Sequence, residues 1–300
     1  MSDTAQSLAQ KISGASDLQG VVRSMKALAA SSISQYEKAV ASLDDYYRTL
    51  ELALSACFHT AGLVPAPAGK SSGKPLIGAV IFGSDQGLVG SFNEAVVDFA
   101  TETLASTPGK VKLLWPVGDR ARALLLDTAI STNDHLAVPN SVSAITSLVG
   151  KLLVDIGAAV DAGKIVEVYV FHNHPKSGDL YEPVCKRLLP LDDNWRKQLL
   201  EKPWPTKSLP EVIDGVTPAL QAFLRSYLFV LLFQACAESL ASENRSRLAA
   251  MQRAEKNIEG MLDDLTRTLH RVRQESIDEE LFDVIAGFEA LKKLKVRPKN

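Results

Sequence analysis

Three hundred residues allow one or two domains with a sizeable core, and 46% hydrophobic against 23% charged residues is an ordinary globular composition. A net charge of −2 at pH 7 argues against a general nucleic-acid binder and against a basic membrane-surface protein. Three widely spaced cysteines, Cys57, Cys185 and Cys236, argue against a disulfide framework and for a reducing compartment.

The chain starts Met-Ser-Asp-Thr-Ala-Gln, without the basic start and apolar run of a signal peptide. Residues 7–60 contain no proline, and Leu18, Val22, Met25, Ala29, Ile33, Tyr36, Val40, Leu43, Tyr47, Leu50 and Leu54 advance by threes and fours. This spacing predicts a long helix with one apolar seam. Gly14 and Gly20 weaken its early turns, by about 1 kcal/mol each relative to alanine. The pattern stops at Gly62, and VPAPAGKSSGK at residues 64–74 predicts a linker.

The character of the sequence then changes. PLIGAVIF at residues 75–82 is an apolar run of strand length, followed by helical patterning over 93–105 and a second strand at 111–117. Residues 118–128 predict a short helix, and residues 141–162 a longer one capped by Ser141. KIVEVYVF at 164–171 is the most strand-like segment, and residues 182–191 predict an edge strand because their prolines cannot donate to a central ladder. Alternating strands and helices argue for a small open α/β domain with parallel pairs. A proline-rich return with Trp195 and Trp204 occupies residues 193–217.

No proline stands between Pro218 and Pro298, in a stretch rich in Ala, Leu, Glu, Arg and Gln. Thr217 and Pro218 predict an N-cap and first helical position. Its most apolar part, residues 219–237, holds Gln221, Arg225 and Gln234 and is too short in its uninterrupted run to span a bilayer. Farther on, Ile258, Leu262, Leu265, Leu269 and Val272 step by 4, 3, 4 and 3, the rhythm of a coiled-coil seam. The rhythm slips between Val272 and Ile277, where Arg267, Arg271, Arg273 and Gln274 form a polar belt, and resumes through Leu281, Val284, Phe288 and Leu291. Two seam-bearing helices at opposite ends of one chain each need a partner, and each other is the simplest choice.

Little in the sequence points to chemistry. Gly69-Lys70-Ser71 imitates the end of a phosphate-binding loop, but Val64 stands where the first glycine belongs. The loop from Gly83 to Gly90 follows a strand and opens a helix, yet its spacing is G-x-x-x-G-x-x-G. Asp85 and Asn93 capping backbone groups in a tight turn is the simpler expectation there. His172 and His174 could share one strand face, but no nearby cysteine or carboxylate pattern completes a metal set, so strand-end surface histidines are expected. His59, His135 and His270 stand alone. Asp278, Glu279 and Glu280 predict a solvated acidic face. No catalytic constellation, cofactor or metal site emerges.

Four motifs, at residues 25–30, 84–93, 241–251 and 273–281 (MKALAA, SDQGLVGSFN, ASENRSRLAAM and RQESIDEEL), in that order and spanning nearly the whole chain, resemble the γ subunit of the rotary F-type ATP synthase. Residues Met25-Lys-Ala-Leu-Ala-Ala30 are similar to that family's N-terminal AM-K-MVAA helix. Ser84-Asp-Gln-Gly-Leu-Val-Gly-Ser-Phe-Asn93 is similar to its SDRGLCGGLN turn, carried here by Ser84, Asp85, Gly87, Gly90 and Asn93. Ala241-Ser-Glu-Asn-Arg-Ser-Arg-Leu-Ala-Ala-Met251 resembles ASE-x-x-x-R-x-x-AM, and Arg273-Gln-Glu-Ser-Ile-Asp-Glu-Glu-Leu281 resembles RQASIT-x-EL. Gln86 replaces the family's arginine and Asp278 its threonine, and the chain continues into a basic tail at 294–300.

The resemblance implies an antiparallel coiled-coil shaft, formed by helices within 1–63 and 218–300, around an inserted Rossmann-like open α/β foot at 75–192. It implies a non-catalytic rotor inside a ring of three α and three β subunits, without cofactor or membrane insertion. The foot would grip the ε subunit and the membrane c-ring, on the cytoplasmic side of a bacterial inner membrane. Arg273 and Gln274 would contact the acidic catch loop of β, with Met25 and Lys26 on the opposing helix at similar height. Asp278 would meet that loop with like charge. Two other expectations stand beside this one: a small nucleotide-binding enzyme using the Gly83–Gly90 loop, and a coiled-coil scaffold.

Overall fold

Our computed structural model describes residues 4–61, 76–126, 136–176, 180–207, 211–212 and 215–295. The predicted linker at 64–74, the Gly69-Lys70-Ser71 imitation within it, His135 and residues 296–300 of the basic tail lie outside the described residues. Contacts divide the chain into two compact units, residues 29–248 and residues 1–28 with 249–300. Two long helices, α1 (Ala5–Ala61) and α6 (Val216–Lys295), contribute to both.

In the unit formed by residues 29–248, a four-stranded sheet has the order β2-β1-β3-β4. Strand β1 (Leu76–Phe82) pairs in parallel with β2 (Lys110–Val117) and with β3 (Glu167–His174). Strand β4 (Glu182–Leu189) closes the edge antiparallel to β3, and Pro183 is tolerated there. Six of the seven β1 residues are buried, as a central strand covered on both faces requires. Side chains alternate in direction along a strand. Ile77, Ala79 and Ile81 therefore pack with Val96, Val97 and Ala100 of α2 (Phe92–Ser106) and with Ala121 and Leu125 of α3 (Asp119–Leu125). On the other face, Val80, Phe82, Trp115, Val168 and Val170 join Ile145, Val149 and Leu152 of α4 (Val142–Asp161) and residues of α6 such as Leu232, Ala237 and Leu240. Ser141 caps α4 as expected, accepting from the Ala144 N–H at 3.3 Å.

Small residues let α6 lie close on the sheet. Every residue from Ala235 to Asn244 is buried, and most are Ala, Ser or Cys. By length and composition α4 and part of α6 could each cross a bilayer; in this unit both place an apolar face against the sheet. The α1 segment here runs antiparallel to α6, since Glu37 bonds Arg245 while Tyr47 stacks on Tyr227.

Several expectations shift by a few residues. Strand β3 runs to His174 rather than ending at Phe171, so the His-Asn-His stretch lies inside the ladder. Helix α6 begins at Val216, after Gly215 with φ 94°. Thr217 is therefore inside the first turn rather than its cap, and Pro218 remains where a missing N–H costs nothing. The proline-rich return holds an unforeseen helix, α5 (Asp193–Glu201), whose Trp195 packs on Tyr227 with ring centroids 4.5 Å apart.

In the other unit, α1 buries Leu8 and Ala15 and half-buries Ile12, Gln19, Val22 and Met25, stepping by fours and threes. Leu18, assigned to the seam from sequence, is 59% exposed. Gln19 takes the position instead, one residue and about 100° around the helix. The α6 seam behaves as expected, with Ile258, Leu262, Leu265, Leu269 and Val272 all half-buried. From Arg273 to Glu289 every residue is exposed.

Candidate functional site

The glycine turn between β1 and α2 directs its polar groups inward. Asn93 Oδ1 accepts from the Ser84 N–H at 2.9 Å, and Asn93 Nδ2 donates to Ser84 Oγ at 2.9 Å. Ser84 Oγ in turn donates to the Gln86 carbonyl at 2.9 Å. The Asp85 carboxylate accepts from the Asp119 N–H through one oxygen and from the Val138 N–H through the other, each at 3.0 Å. The Asp85 carboxylate thus ties the turn to the start of α3 and to the backbone at Val138, and it places a negative charge in a turn that a phosphate cradle would keep free of one. Capping by Asp85 and Asn93, expected from sequence, is what the turn does.

Close approach explains two glycines. A Cβ on Gly83 would stand 2.4 Å from the Cβ of Ala121, and Gly118, at φ 101°, would place one 2.7 Å from the Ser84 carbonyl oxygen. Gly90 also has positive φ, at 63°, in open space, whereas Gly87 meets only the end of the Arg120 side chain at 3.7 Å.

Alternation along β3 turns Val168, Val170, His172 and His174 toward α6 and sends Asn173 toward α2, where its Nδ2 donates to the Phe92 carbonyl at 2.8 Å. His172 is fully buried, which corrects the expectation of a surface histidine. The missing carboxylate is supplied by Glu238 of α6. His172 Nε2 lies 2.7 Å, and His174 Nδ1 2.9 Å, from the same Glu238 oxygen. Gln234 Nε2 donates to the other oxygen at 2.7 Å. Burial alone would raise the Glu238 pKa, but the hydrogen bonds to His172 and His174 outweigh it and lower it to about 2. Burial likewise holds the His172 pKa below the ordinary range, against the pull of Glu238. The strand face was legible in the His-x-His spacing. The carboxylate was not, because it stands more than 60 residues away in sequence.

In the unit formed by residues 1–28 with 249–300, Arg23 Nε and Lys26 Nζ reach the two oxygens of Glu255, at 2.8 and 2.5 Å. Lys26 is therefore level with Glu255, eighteen residues before Arg273 on α6 and roughly 27 Å from it along the helix. The expectation that Met25 and Lys26 lie at the height of Arg273 is corrected, because the antiparallel pairing carries them the other way. Arg271 comes within 3.9 Å of Glu275. Among the described residues, the side chains of Arg273, Gln274 and Asp278 have no hydrogen bond or ion pair. Ile277, Phe282 and Phe288 beside them are 64%, 70% and 69% exposed. This is a bare helix with both charge and apolar surface to offer.

The family model described as ATP synthase matches residues 4–291. The ATP synthase gamma chain of Ehrlichia ruminantium (strain Gardel) is 33% identical over 215 residues, which cover 71% of this chain and 72% of that one. That of Leifsonia xyli subsp. xyli is 27% identical over 296 residues, covering 94% and 96%. Among solved structures, a chain in the cryo-EM structure of Euglena gracilis mitochondrial ATP synthase, OSCP/F1/c-ring, aligns with a TM-score of 0.67 at 16% identity, over 99% of this chain and 97% of that chain. A chain of the Tetrahymena thermophila mitochondrial ATP synthase central stalk/c-ring aligns at 0.53 with 18% identity, over 78% and 99%. These structural matches carry the fold.

Proposed function

We infer the function from one premise: the chain belongs to the ATP synthase gamma-chain family. It is the rotor shaft of a rotary F-type ATP synthase, carrying torque between the membrane sector and a ring of three α and three β subunits. The observation that carries this reading is the continuous α6, whose seam is covered up to Val272 and whose residues from Arg273 to Glu289 are all exposed. A helix that keeps seventeen consecutive residues bare, six large apolar ones among them, is built to be enclosed by something else.

In this reading the chain performs no bond chemistry. Residues 1–63 and 218–300 form the shaft, and residues 75–192 form the foot that meets the ε subunit and the c-ring. The turn of Ser84, Asp85 and Asn93 keeps the foot rigid. Arg273 and Gln274 engage an acidic loop of β through charge-assisted hydrogen bonds, and Asp278 weakens that contact by like charge. Met25 and Lys26 act lower on the shaft, where Lys26 fixes the pairing of α1 with α6. The protein works at the periphery of a membrane, on the cytoplasmic side of a bacterial inner membrane. Affinity purification of the tagged chain from its native membranes tests this: α, β and c subunits co-purify if the reading is right, and their absence from an otherwise folded, captured chain contradicts it.

A further inference from the structure

We propose that His172, His174 and Glu238 form a binding site for a borderline transition-metal dication, best matched by Zn²⁺, which would staple β3 to α6. The proposal stands independently of the rotor reading.

The three ligand atoms, His172 Nε2, His174 Nδ1 and a Glu238 oxygen, lie within 4.8 Å of one another. Tetrahedral zinc with bonds of about 2.0–2.2 Å separates its ligands by about 3.4 Å, so a small rotation of the carboxylate suffices. Both histidines stand on β3, an internal strand held on each side, and the carboxylate on a helix packed against the same sheet face. The geometry is therefore set by two rigid elements rather than by a loop.

Charge and donor type agree. The site offers two imidazole nitrogens beside a carboxylate oxygen. Two imidazoles and one carboxylate suit zinc or cobalt, whereas magnesium and calcium prefer oxygen alone. Gln234 orients Glu238 from behind, as an outer-shell partner should. The His174 side chain is 43% exposed, which gives the ion a route in and leaves the fourth position open to water. Two groups on β4 face the same side. Glu182 stands opposite His174 and pairs with Lys176, and the exposed Lys186 stands opposite Val170. Lys186 opposes a cation, and His172 Nδ1 has no partner. Both features reduce affinity, by roughly 10–100-fold relative to a site with a complete outer shell.

The test is calorimetric titration of the chelator-treated full-length chain with Zn²⁺, alongside melting curves, for wild type, His174→Ala, Glu238→Gln and His270→Ala. Wild type and His270→Ala should bind about one ion per chain and melt at higher temperature with it. His174→Ala and Glu238→Gln should bind roughly 100-fold more weakly and show no such rise. Absence of saturable binding to wild type, or equal binding by His174→Ala, overturns the proposal. Should Glu238→Gln fail to fold, His174→Ala decides alone, since its half-exposed site tolerates truncation.

Discussion

Lys26 Nζ and Glu255 Oε2 lie 2.5 Å apart, joining α1 to α6 where the paired seam is otherwise thinly covered. Hydrogen bonds from Lys26 and then Arg23 hold the Glu255 carboxyl below the usual carboxylate range. A carboxyl whose folded pKa is depressed contributes stability above its unfolded pKa, about 4.5, and loses it as pH falls through the folded value. Acidification from pH 6 to below 4 should therefore loosen this stretch first. Circular dichroism and hydrogen exchange of residues 15–28 and 249–265 check it. Glu255→Gln should remove the pH dependence while lowering the melting temperature by no more than a few degrees, because exposed pairs are worth little.

Gly83 and Gly118 permit the crossing of the β1–α2 turn over the start of α3. Gly83→Ala forces a methyl to 2.4 Å from the Ala121 Cβ, and Gly118→Ala adds a contact at 2.7 Å to an already strained φ. Each should destabilise by about 1–3 kcal/mol in denaturant unfolding. Gly87→Ala, facing only a flexible arginine end, should cost under about 1 kcal/mol.

Asn93→Ala strips the buried Ser84 N–H of its acceptor and Ser84 Oγ of its donor. A loss of about 1–3 kcal/mol is expected. Isothermal titration with ATP or NAD should show no binding to either wild type or the variant, since the Asp85 carboxylate, held in the turn by the Asp119 and Val138 N–H groups, opposes a phosphate there by like charge. Saturable nucleotide binding that the variant loses would support the enzyme reading instead.

Arg273→Ala should leave the melting curve of the isolated chain unchanged, because Arg273 has no partner among the described residues. In the assembled complex it should lower ATP hydrolysis by roughly 3–10-fold, the loss of one or two charge-assisted hydrogen bonds. Asp278→Thr should act oppositely, raising coupled activity by removing a like charge.

Much of the architecture was legible in the residues because periodicity reports burial directly. The threes and fours of α1 and α6 and the apolar run of β1 each reappear as a buried face. What the pattern misassigned was phase and distance. Leu18 and Gln19 differ by one helical step, and apolarity favoured the wrong one. The His172–Glu238 bond and the level of Lys26 against Glu255 depend on register between segments far apart in sequence. No local spacing encodes that register. The slip in rhythm at Arg273 marked where the exposed stretch begins, but the resumed spacing of Leu281, Val284 and Phe288 gave no sign that these residues lie bare, because periodicity does not say whether the partner is in the same chain.

Single-molecule observation most directly tests the rotor reading. The chain is assembled with its own α and β subunits, the ring is fixed to a surface, and a probe is attached to the foot through an introduced surface cysteine. ATP should drive unidirectional rotation in three equal steps per turn, with Arg273→Ala slowing it. Assembly without rotation, or rings that hydrolyse ATP equally well without this chain, would contradict the account.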